Sequence, residues 1–316
     1  MSIKKGGKTS IFCKRKTTAG VILAVFCLSS IATAQMDSLR AKIEQISIRS
    51  RGIVGVALEV IETGDTLTVN GNWHFPMQSV YKLPLALAVL HQVDEGKLSL
   101  EQKIHVSKSD LLPNTWSPLR DKYPEGNIDL SLEEILTVTV AQSDNNGCDI
   151  LFRLMGGPKN VDKYIHGLGV IGIAIAATEE EMHMDWNVQY NNWSTPSAHL
   201  QLLKLFHRQA ILSRQNTNFL RQIMVKTTTG QRRIKGLLPP NAIVAHKTGS
   251  SGANDHGVTG ATNDVGIVTL PNGRHLAVVV FVSNALAEEP ILEGIIAEIA
   301  KAAWDAYTAI SSALPH

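Results

Sequence analysis

The chain runs to 316 residues, 44% of them hydrophobic and 18% charged, an ordinary globular composition with enough length for one large or two modest domains and a full core. Its formal charge of +2 is uneven, because residues 1–34 hold six of the 30 basic residues and none of the 28 acidic ones. The remainder carries 24 basic against 28 acidic residues, a net charge of −4, and has no basic, aromatic-interleaved stretch of the kind that binds nucleic acid.

At the start, Lys4, Lys5, Lys8, Lys14, Arg15 and Lys16 precede an apolar run from Ala19 to Ile31 and the small-residue end Ala32-Thr33-Ala34. That order reads as a cleavable secretory signal, and the apolar run falls short of the roughly 20 residues a membrane-spanning helix needs. An uncleaved anchor is the alternative reading. The chain is expected in the periplasm, with no membrane segment after cleavage. Cys13 and Cys27 leave with the signal, so Cys148 is the only cysteine of the exported chain. The core must then hold the fold without an intramolecular disulfide.

A first helix is expected over Asp37 to Ile48. Apolar runs at Ile53–Ile61 and Thr66–Val69 flank Glu62-Thr63-Gly64-Asp65, a hairpin pattern with turn chemistry between the strands. From about Gln78 to Val225 the pattern becomes helical. Val80 to Val93 is apolar nearly all round, with Pro84 near its start and Gly96 just past its end, as in a buried helix. Ser131-Leu132-Glu133-Glu134 is a capping box opening a helix to about Gln142, and another periodic run begins at Ser197. Strands return at Ile243–His246, Val265–Leu270 and His275–Val282, the last two joined by the turn Pro271-Asn272-Gly273, before a final helix from Ile291 to about Ala309. Strands at both ends and helices between imply an α/β fold of the α+β type. Its five-stranded antiparallel sheet, flanked by helices, is built from residues 35–70 and 226–316. An all-helical domain over residues 71–225 is inserted, and the active site is expected at the interface of the two.

Three short motifs stand at element ends. Ser79-Val80-Tyr81-Lys82 places a serine three residues before a lysine at a helix start, so both side chains share one face. A serine hydroxyl becomes a nucleophile when a neighbouring base takes its proton, and a buried lysine can be that base. Ser143-Asp144-Asn145 follows the helix from Leu132 and can present a hydroxyl beside an amide. Lys247-Thr248-Gly249-Ser250 follows the run Ile243–His246 and offers a fixed positive charge, two hydroxyl donors and a glycine that lets a ligand approach the backbone, a set suited to a carboxylate. Each motif alone is ordinary helix-end or loop chemistry. Together and in this order they are the set found in class A β-lactamases and penicillin-binding proteins.

The chain resembles a class A serine β-lactamase over essentially its whole mature length. It is most similar to the extended-spectrum subgroup that includes the PER and VEB enzymes, through Phe75-Pro76-Met77-Gln78-Ser79, Thr227-Thr228-Thr229-Gly230 and Ala245-His246-Lys247-Thr248-Gly249. The resemblance implies a serine β-lactamase/D,D-peptidase-like fold and hydrolysis of β-lactam antibiotics. It places the glutamate that activates the deacylating water at Glu179, within Thr178-Glu179-Glu180-Glu181-Met182-His183, and puts His183 where most of the family has asparagine. By the same resemblance Trp116, in Trp116-Ser117-Pro118, walls the substrate pocket. Arg233 takes the place of a substrate-carboxylate arginine, with Arg232 and Lys235 as close rivals, and Ser251 belongs to a widened site.

The expected catalytic residues are therefore Ser79, Lys82, Ser143 and Glu179, and the expected substrate-binding residues are Asn145, Lys247, Thr248, Ser250, Trp116, Arg233 and His183. No cofactor is expected. No His-x-His-x-Asp or His-Glu-x-x-His spacing occurs, so no catalytic metal is expected either. The expected partner is a small β-lactam and the expected state a monomer. A penicillin-binding D,D-peptidase, which shares the acylating serine but not the loop glutamate, and a β-lactam sensor domain are the rival readings.

Overall fold

The structure, a computed structural model, describes residues 1–3 and 34–313, with side chains to residue 309. The expected signal segment therefore lies almost wholly outside the described residues. Helix α1 spans residues 34–47 and leads through a turn of 3-10 helix, Ile48–Ser50, into β1 (Ile53–Val60) and β2 (Asp65–Val69). A two-residue strand β3 (Phe75–Pro76) and the 3-10 turn Gln78–Tyr81 precede α2 (Lys82–Asp94). Next come β4 (Lys103–Val106), α3 (Pro118–Lys122), β5 (Ile128–Ser131), α4 (Leu132–Ala141), α5 (Asn145–Leu154) and α6 (Pro158–Gly167). They are followed by β6 (Ile173–Ala174), α7 (Glu179–Met184), β7 (Trp193–Ser194), α8 (Pro196–His207) and α9 (Arg214–Val225). The chain closes with β8 (Val244–Ser250), β9 (Thr259–Thr269), β10 (His275–Ala285) and α10 (Glu289–Ala313).

The five long strands form one antiparallel sheet in the order β2-β1-β10-β9-β8, with Val56 opposite Val280 and Lys247 opposite Val265. Because successive side chains of a strand point to opposite faces, β1 and β10 can feed two cores at once. Val54, Val56, Leu58, Val278, Val280 and Val282 pack toward α1 and α10. Ala57, Ala277, Val279 and Phe281 pack toward the helical half around α2. Both faces are covered, which is why these strands read as near-continuous apolar runs.

The capping box forms as read: Ser131 N–H donates to Glu134 at 2.8 Å, and Glu134 N–H donates to the Ser131 hydroxyl. Helix α2 is apolar all round because it lies at the centre of the helical half, with every residue from Lys82 to Leu90 buried. The structure differs from the reading in several respects. Strand β9 begins at Thr259, six residues before the expected Val265. Lys247-Thr248-Gly249-Ser250 lies inside β8, not beyond its end. The helical stretch also carries two small sheets, β3-β7-β6 and β4-β5. Among the described residues no helix is long and apolar enough to cross a membrane.

Candidate active site

Ser79 sits in the 3-10 turn that enters α2, and the i, i+3 spacing brings the buried Lys82 Nζ to 2.9 Å from its Oγ. Around that ammonium lie three oxygens that can only accept: Ser143 O at 2.9 Å, Asn145 Oδ1 at 2.6 Å and Glu179 Oε1 at 2.9 Å. They form a cradle for three N–H donors. Glu179 Oε1 is also 3.4 Å from Ser79 Oγ, so hydroxyl, amine and carboxylate meet at one point.

Helix geometry sorts the three consecutive glutamates of α7. Glu181 turns back to complete a capping box, accepting from Thr178 N–H at 2.8 Å while its own N–H donates to Thr178 Oγ1. Glu180 is exposed, and Glu179 is the one buried toward Ser79. The helix start is held from α5, where the Asp149 carboxylate accepts from the N–H groups of Glu179 and Glu180 at 2.9 Å each. Burial, and then the neighbouring Glu179 charge, push the Asp149 carboxyl up to about 6.

Ser143 is the junction between two lysines. Its carbonyl accepts from Lys82 and its Oγ accepts from Lys247 Nζ at 2.9 Å. Its φ of 59° is in the left-handed region, a conformation that costs a non-glycine residue about 1 kcal/mol or more. The next residue pins it: Asp144 accepts from Gly147 N–H, Leu119 N–H and the Ser117 hydroxyl, fastening α5 to the segment that carries Trp116. Asn145 N–H donates to Trp116 O, and Asn145 Nδ2 donates to Thr115 Oγ1 at 2.6 Å.

The opposite wall is β8, the edge of the large sheet. Ser251 N–H donates to Ala261 O on β9, so by the alternation of an antiparallel ladder the Ser250 N–H points off the open edge, and Ser250 lines the same cavity as Ser79. Gly249 lets β8 approach the Ser79 turn, since a β-carbon there would lie 2.4 Å from Met77 O and 3.1 Å from Val80 N. Lys247 is wholly buried. Burial, and then the Lys82 charge, hold its amine well below the ordinary lysine range.

Of the three basic candidates, the structure brings Arg233 to the site. Its guanidinium is buried, pairs with Glu289 and Glu293 of α10, and donates to Ser250 Oγ at 2.6 Å. Arg232 pairs outward with Glu293, and Lys235 donates to Val225 O. Ser79, Trp116, Ser143, Arg233, Thr248 and Ser250 line a cavity of about 380 Å³. It adjoins one of about 190 Å³ that shares Gln78, Asn145, Glu179 and Ser250 and adds His183, Gln189 and Ser251. Trp116 is 60% exposed and is oriented by its Nε1–H, which donates to Gln142 O. His183 lies one turn after Glu179 and lines only the smaller cavity of the two. Sequence reasoning gave no role to Thr229, whose hydroxyl is 2.6 Å from that of Thr248, or to the anchors Asp144 and Asp149. Thr229 stands in the run Thr227-Thr228-Thr229-Gly230, whose only signal is its likeness to the extended-spectrum subgroup. The two aspartates act through backbone N–H groups that only the folded chain brings near.

A hydroxyl, an amine and a carboxylate converging beside the edge strand of a five-stranded sheet define a serine acyl-transfer enzyme that carries its own water-activating group. Residues 38–307 match the β-lactamase enzyme family, and the chain belongs to that family. It is 47% identical to β-lactamase VEB-1 of Pseudomonas aeruginosa, an alignment covering 91% of this chain and 96% of that protein. It is 42% identical to the extended-spectrum β-lactamase PER-1 of the same organism, covering 93% and 96%. The solved structure of a β-lactamase from Chitinophaga pinensis, 60% identical, superposes with a TM-score of 0.84 over 85% of this chain and 99% of that one.

Proposed function

We propose that the protein hydrolyses β-lactam antibiotics, penicillins and cephalosporins including the oxyimino-cephalosporins, through a serine ester. The observation that carries this reading is the position of Glu179, whose Oε1 is 2.9 Å from Lys82 Nζ and 3.4 Å from Ser79 Oγ. Ser79 Oγ attacks the ring carbonyl while its proton passes to Lys82, once that amine has given a proton to the Glu179 carboxylate 2.9 Å away, or through water to an ionised Glu179. The backbone N–H groups of Ser79 and Ser250 receive the developing oxyanion, each contributing roughly 3 kcal/mol. The ring C–N bond then breaks. Ser143, hydrogen-bonded to Lys247, gives its hydroxyl proton to the departing nitrogen and recovers one from the lysine pair. Lys247, Thr248, Ser250 and Arg233 hold the substrate carboxylate, Asn145 holds Lys82 and the substrate side chain, and Trp116 walls the pocket. Glu179 takes a proton from water, the water oxygen attacks the ester, and Ser79 leaves with a proton restored. His183, on the rim beside Glu179, bounds the space in which that water sits.

The same reading assigns residues 1–34 to a cleaved signal and the mature enzyme to the periplasm as a monomer. Residues 35–70 and 226–316 form the sheet domain, and residues 71–225 the helical one. Mass spectrometry of Glu179→Ala after addition of a cephalosporin tests the chemistry. The expected result is an ester on Ser79 that persists, while the wild type turns over. Undiminished steady-state turnover in Glu179→Ala would move the deacylating base elsewhere. A wild type that gives one stoichiometric burst and stops would be a D,D-peptidase.

A further inference from the structure

At the end of the sheet where β1 turns into β2, three side chains from three separate elements converge. Glu62 lies in the turn between β1 and β2, His275 opens β10 and His207 ends α8. His275 Nδ1 is 2.6 Å from Glu62 Oε1, His207 Nε2 is 3.9 Å from the same oxygen, and the two imidazole rings are 4.3 Å apart. One donor atom from each residue falls within 4.8 Å of the other two. Neither cavity at Ser79 includes any of the three.

We propose that Glu62, His207 and His275 bind one zinc-class transition-metal dication, which clips α8 to the end of the sheet. A tetrahedral ion with bonds near 2.0–2.1 Å holds its donors about 3.4 Å apart. The observed 2.6 and 3.9 Å bracket that value and the third pair lies within 4.8 Å, so shifts on the order of 1 Å suffice. Two imidazoles and one carboxylate, with a fourth position for water, favour a borderline-soft ion over magnesium or calcium. Histidine must be neutral to ligate. The His207 ring is largely shielded from solvent and faces Glu62 with its Nε2. The C-terminal end of α8 already reaches β1 through Lys204, paired with Glu59, and Arg208, which donates to Ile61 O. An ion would add a third tie at the same joint.

One neighbour competes. Arg221 lies 3.4 Å from His207 Nδ1, the nitrogen that must carry a proton once Nε2 ligates. Removing that guanidinium frees the ring, which gives the proposal a substitution that strengthens binding.

The test is calorimetric titration of the exported chain, without a polyhistidine tag, with Zn²⁺ at neutral pH, beside thermal melts. The expected result is one equivalent bound and a raised melting temperature that Mg²⁺ does not reproduce. Glu62→Gln, His207→Gln and His275→Gln should each weaken Zn²⁺ roughly tenfold or more and abolish the thermal shift. Arg221→Gln should tighten it. Cephalosporin turnover should not change on adding the ion. Absence of stoichiometric Zn²⁺ binding, or unchanged affinity in His207→Gln, would reduce the cluster to an ordinary Glu62–His275 ion pair and overturn the proposal.

Discussion

Replacing Gly249 by alanine isolates the contact on which the oxyanion geometry depends. The added β-carbon would sit 2.4 Å from Met77 O, where ordinary van der Waals contact begins at 3.4 Å, so β8 and the Ser79 turn must separate by about 1 Å. Neither partner is a flexible side-chain tip: both are backbone, one inside a paired strand and the other at a buried helix start. The separation moves the Ser250 N–H away from Ser79, and a misplacement of about 1 Å at reacting atoms costs on the order of 10²-fold. The expected outcome is a fall of about 10² in kcat/KM, about 2.7 kcal/mol, for a chromogenic cephalosporin. Overpacking should add about 1–3 kcal/mol of lost stability. Stopped-flow measurement should show the loss in acylation, the step that kcat/KM reports, and deacylation should slow as well because the ester carbonyl uses the same N–H donors. Acylation within threefold of wild type would refute the assignment of the Ser250 N–H to the oxyanion.

The buried carboxylates give two further expectations. Asp149 is raised from 3.8 to about 6, so its contribution to stability is fully present below pH 3.8 and is lost as pH rises through 6. Relative to Asp149→Asn, the wild type should lose roughly 3 kcal/mol between pH 3.5 and pH 7, measured by urea unfolding, and parallel pH profiles would contradict this. His246 Nδ1 is 2.9 Å from the Asp264 carboxylate, and both side chains are inaccessible to solvent. His246→Ala leaves that buried carboxylate with the Ile234 N–H as its remaining donor and should cost about 3 kcal/mol, with Asp264→Asn in the same background recovering part of it; a loss below 1 kcal/mol would show the pair to be dispensable.

How far the sequence could be read depended on what surrounds each residue. The strands β1 and β10 were plain because both faces are buried, and α2 because it is enclosed on all sides. Periodicity alone ends strand β8 at His246, because Lys247, Thr248 and Ser250 are polar. They remain in the strand because its ladder to β9 satisfies one edge, while the other edge opens on the cavity. Strands β3, β6 and β7, two residues each, offer no periodicity to detect. At the site, the residue types and order of the three motifs single out Ser79, Lys82, Ser143 and Lys247, which the structure brings together, whereas Glu179 rests on the resemblance. The choice of Arg233 over Arg232 was not legible, since it depends on Glu289 and Glu293 of a helix more than fifty residues later. Glu62, His207 and His275 were invisible as a cluster for the same reason: no spacing links three elements that meet only in space.

Ser143 shows why the parts of this site cannot be valued one at a time. Its carbonyl and its hydroxyl face different lysines, so one backbone conformation sets the position of both amines. That conformation is strained, and Asp144 holds it by spending its carboxylate on Gly147, Leu119 and Ser117, none of which needs to touch a substrate. The charge balance has the same form. Lys82 is matched by the Glu179 carboxylate, whereas Lys247 is buried beside Lys82 with a hydroxyl and a carbonyl as its direct partners. An incoming carboxylate therefore supplies the counter-charge that Lys247 lacks. On the proposed mechanism, substrate binding and the electrostatics of proton transfer through Ser143 are one event, which would make the bound anion part of the catalytic machinery.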